Sequence, residues 1–351
     1  MKKFNILSKR LTTLAISASM VATMPGMANI AHANINQQEV ENVAEIDGVG
    51  YATLEEAFEN AESGNEIILL SDAEVNKMIL VDKELTLNMG DGNLILFKED
   101  AIDTSKKLGN ITIEGGSLTI DGYGYIEEEN PYYAPLMLKG ATDSNAEDYS
   151  VLTVGDDVSL HGWSGIFVRQ NGNAAYGVKI EMNGSASSGT DGDSSGSAIY
   201  VNGSITETEG NIPEIVIGEN ANLSSDDSTC LYLAGYADTY VYGNLNGCES
   251  GVEIRAGKLT IEDGAEISST YVPTEEESNG NGSAIDGAAI AIAQHTTKLP
   301  IEVSVNGGNI AGYTALYQAD PEENNDDENI TIDVSGGSFE VIDDSDTIIY
   351  S

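Results

Sequence analysis

Asp191, Asp193, Asp226 and Asp227 are the residues of this chain best placed to do chemistry, in two short acidic steps, Thr190–Asp191–Gly192–Asp193 and Ser225–Asp226–Asp227–Ser228. Two carboxyl groups about 6.5–9.5 Å apart across a sugar act as general acid and base in inverting glycoside hydrolysis, so Asp191, Asp226 and Asp227 are the candidate catalytic set. The same four aspartates, or the run Glu322–Glu323–Asn324–Asn325–Asp326–Asp327–Glu328, also offer the oxygen ligands that calcium takes. The bland alternative is that these carboxylates are solvated, because acidic and Ser/Gly residues fill nearly every turn of the chain. There is no EF-hand loop, calcium-binding nonapeptide, Walker loop, dinucleotide fingerprint, zinc spacing or nucleophile elbow, so no resident cofactor is expected.

The aromatic residues suggest binding rather than turnover. Tyr123, Tyr125, Tyr132 and Tyr133 cluster with Glu127, Glu128, Glu129, Asn130 and Pro131 in what reads as an insertion, and Trp163 lies in the turn Gly162–Trp163–Ser164–Gly165. Rings beside carboxylates and amides suit neutral sugars, whose apolar faces stack and whose hydroxyls hydrogen-bond. Ordinary packing of tyrosine at strand and loop positions is the competing explanation. The two cysteines after the leader, Cys230 and Cys248, leave two options open, a disulfide or two thiols.

Most of the chain repeats one pattern, in which a short β-branched strand, a Gly/Asn/Asp turn and a Ser or Gly step lead into another aliphatic strand. Leu152–Thr153–Val154–Gly155 with Ile166–Phe167–Val168 is one copy, and Val178–Lys179–Ile180 with Ile199–Tyr200–Val201 is another. No copy is long enough to bury its own apolar face, so the copies must stack on a shared core. Their spacing is irregular, with 19 residues from Tyr240 to Leu259 and 44 from Leu259 to Val303, which predicts a constant strand core with loops inserted at particular corners. The expected fold is all-β, a right-handed parallel β-helix over residues 45–351. Its start is predicted to be closed by one amphipathic helix over residues 53–63, with Thr53 and Glu56 as a capping box, Leu54, Ala57, Phe58 and Ala61 on the buried face, and Gly64 as the stop.

Residues 1–33 read as a secretory signal peptide, with Lys2, Lys3, Lys9 and Arg10 ahead of an apolar run and Ala31–His32–Ala33 as the cleavage step. Residues 34–44 read as a flexible leader. The expected location is extracellular, at or near a bacterial surface. The whole chain carries −43, and losing the leader's four basic side chains leaves 11 basic against 58 acidic residues, or −47. Such a surface repels nucleic acid and anionic lipid, so neither nucleic-acid binding nor membrane insertion is expected.

The order Tyr51–Ala52–Thr53–Leu54–Glu55–Glu56–Ala57, then Ala61, Gly64 and Ile67–Ile68–Leu69–Leu70, followed by repeated Ile-x-Gly-Gly steps, resembles the start of pectin-lyase-like β-helix domains in Gram-positive surface proteins. Within that fold, the two acidic steps resemble the N-T-D and D-D-C steps of polygalacturonases, and Arg255–Ala256–Gly257–Lys258 loosely resembles their R-I-K step. The G-H-G step has no counterpart between Asp227 and Arg255, and His161 precedes both acidic steps. The resemblance thus implies the fold more than the activity. Taken together, the sequence leads to the expectation of a non-catalytic adhesive or carbohydrate-binding module, partnered by a glycan or a host or cell-surface ligand. The alternatives are a secreted polysaccharide hydrolase or lyase, and a structural spacer. A further chain or partner at the uncapped C-terminal end is also expected, since an open strand edge invites pairing.

Overall fold

The computed structural model describes residues 41–97, 110–129, 133–146, 149–169, 175–189, 196–202, 209–272, 287–294, 298–319, 329–342 and 347–350. The expected signal peptide, most of the leader, Tyr132, Asp191, Asp193 and the 322–328 acidic run lie outside these residues.

The chain winds as a right-handed parallel β-helix with three walls. Ser150–Val154 lies on the first wall, Val158–Gly162 on the second and Ile166–Arg169 on the third, after which Val178–Met182 returns to the first. Each strand pairs in parallel with its counterpart one turn later, so Leu152 sits over Leu118 and under Ile180. Period-two alternation sends every second side chain inward, and the parallel register stacks like on like. Inside the third wall the column runs Ile79, Ile111, Leu136, Ile166, Ile199, Leu231, Val252 and Ile290, every one of them fully or almost fully buried. Each such side chain contributes about 1.5–3 kcal/mol by leaving water, so the core is a sum of columns rather than one nucleus.

The corners are unequal. The corner between the first and second walls is always short, and at Gly184 it is tight enough that a Cβ would stand 2.3 Å from the Val158 carbonyl oxygen of the preceding turn. The insertions fall at the other two corners, on either side of the third wall, as between Ser185–Ser188 and Ile199–Asn202 or between Glu266–Ser269 and Ala288–Ala293. Loop length is thus varied only where the third wall is flanked.

A hairpin and a helix close the start of the solenoid. Ala44–Ile46 pairs antiparallel with Val49–Tyr51 and with the first-wall strand Asn65–Leu69. The helix, Leu54–Asn60, begins where the Glu56 N–H donates to Thr53 Oγ1 at 3.2 Å, and it buries Leu54, Ala57 and Phe58 on the core, with Ala61 just beyond it. It is shorter than the sequence predicts. Ala61 is already extended (φ −65°, ψ 141°), and the positive φ of Gly64 serves the turn into the first strand instead of the helix stop. No helix among the described residues is long and apolar enough to cross a membrane.

One further expectation changes, and one question left open by the sequence is decided. Tyr123 and Tyr125 are not in an insertion, because Ser117–Glu128 is one continuous strand that turns from the first wall to the second. Cys230 and Cys248 are thiols with no disulfide between them. Cys230 is fully buried in the aliphatic core, which pushes its thiol up to about 12, while Cys248 lies at a partly open corner.

Candidate functional site

The outward row of the third wall gathers the rings. Strand pairing places Met137, Phe167, Tyr200, Tyr232 and Glu253 in one line across successive turns, and each is the middle residue of an aliphatic strand: Leu136–Met137–Leu138, Ile166–Phe167–Val168, Ile199–Tyr200–Val201, Leu231–Tyr232–Leu233 and Val252–Glu253–Ile254. Because the flanking residues are drawn into the core, the middle one has to face out.

Trp163, from the corner before this wall, joins the row. Its ring lies 6.2 Å from Phe167 and 5.7 Å from Tyr200, Phe167 meets Tyr200 edge-on at 5.3 Å, and Tyr200 meets Tyr232 at 4.7 Å. These are the separations at which aromatic pairs attract beyond simple burial. Trp163, Phe167 and Tyr200 are half-buried, with ring surface open to solvent, whereas Tyr232 is 6% exposed and forms the floor.

Beneath the end of the ring row lies a buried ion pair. The Arg255 guanidinium donates through Nε to Glu253 Oε1 at 2.6 Å, with the side chains 7% and 1% exposed, and it stands 5.2 Å from the centre of the Tyr232 ring. Desolvation of two charges is costly, and the pairing and the contact with the ring face offset that cost. Burial raises the pKa of the Tyr232 and Tyr200 hydroxyls above the ordinary value, with Glu253 adding to the rise and Arg255 opposing it. Both phenols therefore stay neutral across the physiological range and can donate to a ligand. At the next outward-facing position along the same strands, Arg169 lies in line with Lys139 and Asn202, and Lys139 is tied to Glu114 at 2.9 Å.

The sequence-predicted carboxylates gather elsewhere. Asp226 and Asp227 line an open cleft of about 580 Å³ with Glu127, Glu128, Glu129, His161 and Gly189, where the second wall turns toward the third. The His161 ring nitrogen Nδ1 lies 2.8 Å from Ser187 Oγ, which fixes the imidazole along the wall. Parallel stacking brings His161 to Asp226 and Asp227 although it precedes them by two turns in the sequence. Among the described residues no three His, Cys, Asp or Glu side chains converge as metal ligands.

The predicted aromatic set divides. Tyr123 and Tyr125 pair edge to face at 6.3 Å, about half exposed, at the start of the second wall. Trp163 belongs to the third-wall row, and its N–H donates to the Tyr133 carbonyl at 3.1 Å. Phe167, Tyr200, Tyr232 and Glu253 were not singled out as site residues by sequence reasoning, and Arg255 was noted only for its loose resemblance to the R-I-K step. The signal of the first four was present as the large or charged middle residue in four successive aliphatic triplets. No family model, curated protein or solved structure matches this chain.

Proposed function

We propose that this protein is an exported surface module of the pectin-lyase-like kind that binds glycans without cleaving them, on the outward face of its third wall. The observation that carries the reading is the Trp163–Phe167–Tyr200–Tyr232 cluster. Partly open rings held on a rigid strand ladder present an apolar surface at little entropic cost, and neutral phenols beside them supply hydrogen bonds to sugar hydroxyls. Loop variation confined to the two corners flanking this wall suits a recognition surface of adjustable rim. A glycan array with and without calcium, run beside a reducing-sugar assay, tests the reading. Binding without product release is expected, and release of reducing ends would defeat it.

A second reading, a glycan-cleaving enzyme, rests on the corner cleft that holds Asp226, Asp227 and His161. In that case Asp226→Asn or Asp227→Asn would abolish release while sparing binding at the rings. In the favoured reading the same substitutions leave glycan affinity unchanged.

A further inference from the structure

Three strands of the third wall end on a cation. Lys139 closes Leu136–Lys139, Arg169 closes Ile166–Arg169, and Arg255 follows Val252–Ile254. Two of the three are neutralised within the chain, Lys139 by Glu114 at 2.9 Å and Arg255 by Glu253 at 2.6 Å. Arg169 is not. It is half-buried, and its guanidinium has no ion pair or hydrogen bond among the described residues. Beyond residue 33 acidic side chains outnumber basic ones 58 to 11. Carboxylates are thus the charged neighbours a cation would most often meet, and a half-buried arginine without one carries a desolvation cost that nothing in the chain offsets.

Its place is set by the strand that carries it. Val168 points into the core, so Phe167 and Arg169 face outward together, two strand steps or about 6.6 Å apart. Asn202 stands in line with Arg169 one turn on, beside Tyr200, and its amide also has no partner among the described residues. A sugar ring resting on Phe167 and Tyr200 therefore brings its exocyclic group to a free guanidinium and a free amide.

We propose that Arg169 is the specificity-determining residue of this face and selects an otherwise neutral oligosaccharide that bears one acidic group, a carboxylate or a sulfate ester. This rests on the ring row as the glycan site. The planar guanidinium fork takes either oxyanion through two parallel N–H···O bonds, and the Asn202 amide adds a donor. The surroundings accept one charge and no more. The corner from which these strands come holds Asp226 and Asp227, and the chain beyond its leader is strongly acidic. A polymer acidic at every sugar is repelled wherever it extends past Arg169, whereas a single acidic group meets the one cation on the wall that lacks a partner among the described residues.

Matched glycans test this: neutral oligosaccharides on an array, each beside its sialylated and its sulfated form, with polygalacturonate as the densely charged case and calorimetry of residues 34–351 on the strongest pair. The acidic member is expected to bind about tenfold tighter than its neutral parent, and the sialylated and sulfated arms tell which oxyanion is preferred. Arg169→Ala is expected to remove that preference while the neutral parent's Kd stays within a factor of about two. Arg169→Lys, which keeps the charge and loses the fork, is expected to retain part of it. Melting temperatures near wild type would show that both variants fold. Equal binding of neutral and acidic members by the wild type, a preference that survives Arg169→Ala, or tightest binding to polygalacturonate would each overturn the proposal and leave the ring-face reading standing. Binding to no glycan at all would defeat both.

Discussion

The second and third walls share one winding and one strand register, yet their outward rows carry opposite chemistry. Across the second wall the row runs Tyr125, Ser159, Ser185, Asn222, Asn244, Glu266 and Asn309. Across the third, the corresponding line is Met137, Phe167, Tyr200, Tyr232 and Glu253. The inward columns of both walls are largely aliphatic, so the core does not dictate the difference. Short hydroxyls and amides keep a solvated wall in water and off other strand edges. Rings on the third wall bury apolar area outside the core, and the long corners stand on either side of that wall. This contrast is the ground on which we propose the third wall as the recognition face.

The contrast can be broken most forcefully under the rings. Arg255→Ala leaves Glu253 charged and buried, and a loss of about 3–5 kcal/mol in unfolding free energy is expected from denaturant titration. Replacing both partners with leucine should recover most of that loss. A surface substitution on the second wall such as Asn222→Ala should stay within about 0.5 kcal/mol in the same assay.

Alkaline pH gives the next effect. Burial raises the folded-state pKa of Tyr232 above its ordinary value of 10.0, so the folded chain holds a proton that the unfolded chain has released. The stability tied to this group is therefore complete below pH 10.0 and declines as pH rises above it, with a slope of about 1.4 kcal/mol per pH unit. Tyr232→Phe should flatten that part of the curve, and an unchanged slope would show that the hydroxyl is not desolvated. Smaller again, Trp163→Ala should weaken glycan binding by about 1 kcal/mol, roughly fivefold in Kd, while Ser224→Ala on the second wall changes it by less than a factor of about two.

Much of the fold was legible because the first and third walls are written in β-branched residues. Val178–Lys179–Ile180 and Ile199–Tyr200–Val201 announce strands whatever surrounds them. The second wall was hidden, since Ser185–Ser188 and Asn222–Ser225 each carry a single inward apolar residue, Ala186 and Leu223, among hydroxyls and amides and look like the turns that join strands. The site was less legible for a related reason. Tyr123 and Tyr125 drew attention by clustering in sequence, but rings in a solenoid assemble across turns. Phe167, Tyr200 and Tyr232 are more than thirty residues apart in pairs and adjacent in space. His161 comes to line the same cleft as Asp226 and Asp227 by the same stacking, although it lies two turns earlier in the chain.

The chain's single tryptophan is Trp163, inside the ring cluster, so its intrinsic fluorescence reports on the third wall alone. Titration of residues 34–351 with oligosaccharides selected by the array, followed both by that fluorescence and by calorimetry, bears most directly on glycan binding at this face. The expected result is a saturable change in Trp163 emission that matches the calorimetric Kd and weakens in Tyr200→Ala. Calorimetric binding that leaves Trp163 emission unmoved and is indifferent to Tyr200→Ala would place the ligand elsewhere and contradict the account.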